Sequence, residues 1–135
     1  MIFERAAEYL LKRLRELREE SPRVCLISGG EVTVKVTNGG IGGRNQQFAL
    51  SCAGKIAGEN ITVLSAGTDG IDGNSPAAGA VADGSTVTRA QSSGLEALAA
   101  LEKFNAYPFF SALGDAVETG PTGNNLRDLR ILLAY

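Results

Sequence analysis

Arg44 stands directly behind a glycine-rich stretch, Asn38-Gly39-Gly40-Ile41-Gly42-Gly43, and is followed by Asn45-Gln46. Between Lys35 and Lys55 it is the sole charged side chain. A guanidinium offers its N–H donors in a planar fork that matches a carboxylate or a phosphate. Glycines let a backbone approach a ligand closely, and N–H groups at a helix start attract anions. Gly42, Gly43, Asn45 and Gln46 are therefore candidate substrate contacts around Arg44. The plainer alternative is a surface arginine capping a neighbouring carbonyl. Neither a Walker A loop nor a dinucleotide fingerprint fits, because no Lys-Ser/Thr follows the glycines and their spacing is wrong.

Two further loops have usable chemistry. Gly67-Thr68-Asp69-Gly70-Ile71-Asp72-Gly73-Asn74 places two carboxylates three residues apart between glycines. Such oxygen ligands suit a divalent cation or a sugar hydroxyl, although the third acidic position and terminal Glu of a calcium loop are missing. The same residues also fit a turn with Asx caps. Gly120-Pro121-Thr122-Gly123-Asn124-Asn125 is polar and uncharged, and taken alone reads as a turn. Glu31, after Ser28-Gly29-Gly30, either braces the first loop or faces a ligand. Together the loops offer one cation, a few carboxylates and many backbone donors. That set suits a small, polyhydroxylated, anionic substrate and phosphoryl transfer, where positioning and charge dominate. No lysine lies in these loops, and a complete ATP site needs more cations than one arginine.

The elements that hold these loops alternate. Apolar residues at spacings of three and four predict a helix over residues 2–20, ended by Ser21-Pro22; its acidic and basic residues nearly cancel, so it packs on the domain rather than on a membrane. Residues 24–28 read as a strand buried on both faces, and 32–37 as a half-exposed strand paired with it in a hairpin. A helix starts at Arg44 or Asn45 and stops at Gly58. Residues 61–66 form another buried strand, 76–83 are ambiguous, and Ser85 caps a helix to Ser92. Residues 95–104 are helical, and Pro108 opens a short helix ending at Gly114. Residues 117–119 are extended, and 129–135 close the chain as a buried strand. This alternation predicts an α/β class: a three-layer domain with a mixed β-sheet flanked by helices, binding ligand beyond the carboxyl ends of strands.

Composition narrows the function classes. The 135 residues are 44% hydrophobic and 21% charged, as in one globular domain. The net charge of −2 argues against nucleic acid as a partner. No apolar run is long enough to span a bilayer, and no signal core is present, so a cytoplasmic protein without membrane partners is expected. The chain has no histidine, which excludes a His-based triad or general base. Cys25 and Cys52 are expected to be buried, reduced core residues.

The motifs Leu26-Ile27-Ser28-Gly29-Gly30-Glu31-Val32-Thr33-Val34, Gly42-Gly43-Arg44-Asn45-Gln46, Ser65 to Gly73, Tyr107-Pro108-Phe109-Phe110 and Thr119 to Asn125 resemble, in order, the MOFRL domain. That is the C-terminal domain of glycerate 2-kinases, often labelled hydroxypyruvate reductases. The resemblance covers residues 22–135, with 1–21 as a leading helix in a single MOFRL-like domain. It implies ATP-dependent phosphorylation of D-glycerate to 2-phosphoglycerate with a divalent metal, Mg by preference. It also implies a partner, the N-terminal kinase domain, across an interdomain cleft, and little activity for this portion alone. By position Arg44 becomes the catalytic or substrate-binding arginine. Glu31, Gly42, Gly43, Asn45, Gln46, Thr68, Asp69, Asp72, Thr122 and Asn125 become substrate contacts. Departures from the family pattern at Gln47, Asn105-Ala106 and Asn124 leave the motifs intact, the last two with looser polar contacts near the cleft. The alternative class is a non-catalytic module that docks to a partner. Hydride transfer is the weakest reading.

Overall fold

The computed structural model describes residues 2–34 and 39–135. Helix α1 (Phe3–Glu20) leads, followed by β1 (Val24–Gly29), α2 (Arg44–Lys55), β2 (Ile61–Gly67) and β3 (Gly79–Asp83). Then come α3 (Thr86–Ser92), α4 (Ala97–Glu102), α5 (Ala106–Leu113), β4 (Ala116–Val117) and β5 (Asp128–Ala134). The five strands form one sheet in the order β1-β5-β2-β3-β4.

The α/β class expected from the alternation is the one observed, and two of its details change. Every ladder between named strands is antiparallel, where a mixed sheet was expected. β1 and β2, joined through α2, do run in the same direction, since both strands run opposite to β5. The last strand, however, is inserted between them, so β1 and β2 never touch as a parallel pair. The second change is in the layers. Core residues of α1 and α2 pack with Ile61, Val63, Leu132 and Ala134, and those of α2, α3 and α5 with Ala80 and Ala82. All these strand residues share one face of the sheet by alternation. The opposite face has Ile27 at 65% and Leu133 at 38% exposure, and Cys25 exposed. Among the described residues the helices thus cover one face, giving two layers.

Several local features follow from this packing. β1 alternates half-buried and exposed residues because it is an edge strand with one bare face. Cys25 therefore departs from the expected burial, while Cys52 lies in the core, where desolvation pushes its thiol pKa up to about 12. The expected hairpin partner of β1 is not found in the described part of 32–37: Thr33 makes an isolated parallel bridge to Ile2, and 35–37 lie outside the described residues. The ambiguous 76–83 stretch resolves into β3, where Gly79 is required because a Cβ there would lie 1.9 Å from the Ser65 carbonyl oxygen. α2 ends at Lys55, a turn earlier than expected, with Gly58 left-handed (φ 80°) in the following turn. No helix among the described residues is long and apolar enough to cross a membrane.

Candidate functional site

The glycine-rich loops converge at one end of the sheet, where β1 and β2 finish and β5 begins: Leu129 is paired with Gly29, and Asp128 with Gly67. α2 starts at this end with Arg44, as expected. Gly43 is its N-cap residue and has no side chain to cap the helix. Asp72 does so from the second loop. Its Oδ1 accepts the Asn45 backbone N–H (3.0 Å) and the Asn45 side-chain amide (3.2 Å). Its Oδ2 accepts the same two groups of Gln46, at 2.9 and 3.0 Å. A Cβ on Gly43 would lie 2.4 Å from the Asp72 carboxyl carbon, so only glycine lets the carboxylate in this close.

This arrangement corrects the expected role of the helix start. The Asn45 and Gln46 N–H groups, read as part of an anion cradle, are satisfied internally, and Asp72 is the anion that they hold. Burial pushes the Asp72 carboxyl above the usual carboxylate range, with its four N–H donors opposing. Asn45 and Gln46 are buried as well, Asn45 accepting the Ser65 hydroxyl (2.8 Å) and Gln46 donating to Ser75 Oγ (2.8 Å). These three residues were expected to touch substrate. They instead form the internal brace under the loop.

The rest of the loop is tied down from the side. Asn74 Oδ1 accepts the Gly42 N–H (2.9 Å) and its amide donates to the Gly40 carbonyl (3.1 Å). Asn105 Oδ1 accepts the Ile41 N–H (3.0 Å), so this departure from the family pattern keeps a polar contact rather than loosening one. The expected loop begins at Asn38, which lies outside the described residues.

Arg44 donates from Nε to Asp128 Oδ2 (2.6 Å) and from Nη2 to Asp128 Oδ1 (3.1 Å), with Glu31 Oε1 at 3.4 Å from Nη2. The Asp128 side chain is 1% exposed and that of Arg44 40%. Hydrogen bonding to Asp128, more than any other influence, holds the guanidinium above its ordinary pKa. Arg44 is thus gripped from inside while its outer edge remains open. That edge borders a cleft of about 520 Å³ lined also by Glu31, Gly40, Gly42, Gly43, Gln47 and Phe104.

Of the expected site residues, the cleft brings together Glu31, Gly42, Gly43 and Arg44. Thr68, Asp69 and Thr122 form a separate knot between the second and third loops. Thr122 Oγ1 donates to the Thr68 carbonyl (2.5 Å), and the Thr122 N–H to the Asp69 carbonyl (3.1 Å). Asp69 Oδ1 accepts the Ile71 N–H (3.1 Å), the Asx turn anticipated as its plainer role. Asn125 is exposed on the same loop. Sequence reasoning missed Asp128 and Arg130. Both sit on the inward face of β5 in register with Leu132, and two charges at i and i+2 in an apolar strand were the available signal.

The donor set does not make a metal site. Among the described residues no group of three or more Cys, Asp or Glu side chains is arranged to hold a cation. Asp72 has both oxygens occupied by two donors each.

Residues 24–128 match the family model described as the MOFRL family. The chain belongs to the MOFRL family. A D-glycerate 2-kinase of Thermotoga maritima is 45% identical over 108 residues, covering 79% of this chain and 26% of that protein. A putative hydroxypyruvate reductase of Agrobacterium vitis is 42% identical over 111 residues, covering 80% of this chain and 29% of that one. The crystal structure of a glycerate kinase from Thermotoga maritima superposes with a TM-score of 0.92 at 37% identity, over 99% of this chain and 34% of that one. This MOFRL chain therefore spans about a quarter to a third of the length of these relatives.

Proposed function

We propose that this chain supplies the substrate-facing half of a D-glycerate 2-kinase, with Arg44 receiving the carboxylate of glycerate and Glu31 facing its hydroxyls. The observation that carries this reading is the half-open Arg44 guanidinium at the edge of the cleft, fixed from behind by buried Asp128. A charged donor held in place before the ligand arrives loses little entropy on binding. The family relationship supports phosphoryl transfer from ATP, 2-phosphoglycerate as product, and a kinase domain as the partner across the cleft. The described residues do not by themselves make a divalent-metal site. Asp72 takes the Asn45 and Gln46 N–H groups, which a dinucleotide pyrophosphate would need at the start of α2, and this disfavours hydride transfer.

A test is titration of D-glycerate into the chain, read by amide NMR. Saturable shifts at Gly42–Arg44 and Glu31, abolished in Arg44→Ala, are expected. No shift up to about 10 mM, weaker than any useful metabolite affinity, overturns the reading. A second reading, a docking module without chemistry, is favoured by one observation: the outer sheet face presents Ile27 and Leu133 to solvent. It predicts no response to glycerate.

A further inference from the structure

Arg130 is 3% exposed, yet its hydrogen bonds leave most of its charge unanswered. Nη2 donates to the carbonyls of Gly29 (2.7 Å) and Gly30 (3.0 Å). Nε and Nη1 are buried without an acceptor among the described residues. The guanidinium carbon lies 5.6 Å from the centre of the Phe48 ring. A buried donor without a partner is costly, and native structures rarely keep one without a reason.

The reason lies one pleat away. Asp128 and Arg130 are two residues apart on one face of β5, and the charges of Asp128 and Arg44 both act on Arg130. Asp128 is paired with Arg44, and the second guanidinium stands two residues along the same face of β5 without a bond to it. Asp128 is bidentate on Arg44, while Arg130 keeps two donors free. If Asp128 answered Arg44 alone, an arriving anion would meet a neutral pair beside the further negative charge of Glu31. With Arg130 counted, two guanidinium groups balance the two carboxylates, and the net negative charge is removed.

We propose that Arg130 is a positioning residue for Arg44: it competes for Asp128, so that an anionic ligand at Arg44 draws the carboxylate toward the free donors of Arg130 and finds Arg44 partly uncompensated. The same side chain pins the Gly29-Gly30 turn and so sets where Glu31 stands. This rests on the reading of Arg44 as an anion receptor, and the test separates the two.

Arg130→Met keeps the bulk and removes the charge; Arg130→Lys restores it. D-glycerate and inorganic phosphate are titrated into each variant, with glycerol as the uncharged control. Arg130→Met is expected to bind both anions about tenfold more weakly, Arg130→Lys within about twofold of wild type, with the glycerol response unchanged. Equal anion affinity in Arg130→Met overturns the proposal. A second readout needs no ligand: water exchange of the Arg44 Nε–H, followed by nitrogen-15 NMR, slows in Arg130→Met because the buried positive charge that pulls Asp128 away from Arg44 is then gone. An unchanged exchange rate overturns the sharing. If wild type binds neither anion, the glycerate reading fails and the exchange rate still decides the role of Arg130. Should Arg130→Met not fold, Asp128→Asn decides: phosphate binds more tightly and the Arg44 Nε–H exchanges faster, and no change in either rejects the scheme.

Discussion

Replacing Asp72 with asparagine keeps the shape of the side chain at the start of α2 and changes its hydrogen bonding. The carboxylate accepts four N–H donors at 2.9–3.2 Å, two on each oxygen. An asparagine presents one oxygen to one pair and an NH2 to the other, so two buried donors lose their acceptor. Each such loss costs ~1–3 kcal/mol. The negative charge at the helix N-terminus is lost too, worth ~0.3–2 kcal/mol. Against this, a neutral amide is relieved of the desolvation that holds the carboxyl pKa up. The balance is a destabilisation of about 3 kcal/mol, within the range for breaking a buried network. Urea unfolding measures it: the midpoint falls while the slope stays constant. A loss under about 1 kcal/mol rejects the view of Asp72 as an internal cap. Wild-type stability combined with lost glycerate binding would return Asp72 to the ligand contacts.

Three further outcomes follow from the packing. Gly43→Ala forces a Cβ to 2.4 Å from the Asp72 carboxyl carbon, and should cost ~1–3 kcal/mol in the same unfolding assay; a neutral effect would mean that the loop yields freely. Leu132→Ala, fully buried, should cost ~2–5 kcal/mol, whereas Leu133→Ala on the bare face should cost under ~1 kcal/mol; comparable losses would refute the sheet register. Arg15 grips Glu59 at 2.6 Å and, chiefly by that hydrogen bond, holds its carboxyl below the usual carboxylate range. The pair therefore stabilises the fold above the ordinary Glu pKa, and the contribution vanishes as pH falls through the lowered folded value. With both side chains about a third exposed, Glu59→Gln should cost roughly 0.5 kcal/mol near neutrality and nothing in strong acid; a pH-independent difference contradicts the linkage.

The helices and strands were largely legible because their periodicities are clean. The apolar stripe of α1 and the start of α2 at Arg44 needed no tertiary information. What stayed hidden was non-local. A run such as Val24 to Ser28 looks doubly buried whether or not a layer covers its second face, and only the strand order reveals that none does. The antiparallel ladders were hidden for the same reason, since the crossover from β1 to β2 looks parallel until β5 is placed between them. At the site, residue types identified the right loops but not who satisfies whom. Asp72 read as a ligand because a carboxylate between glycines has no partner in its own segment; its donors lie 26 and 27 residues away. Asp128, 84 residues beyond Arg44, was out of reach of any local pattern.

The final strand holds a central position in the sheet, and this constrains how the protein is made. Among the described residues β5 supplies the only ladder to β1 and the longest ladder to β2, so these pairings wait until residues 128–134 leave the ribosome. During synthesis α1, α2 and β2 wait with apolar surface uncovered, and closure comes in one late, non-local step. A nascent chain arrested before Asp128 should recruit holding chaperones, and deleting residues 128–135 should remove Asp128 from the Arg44 clamp together with the sheet's keystone.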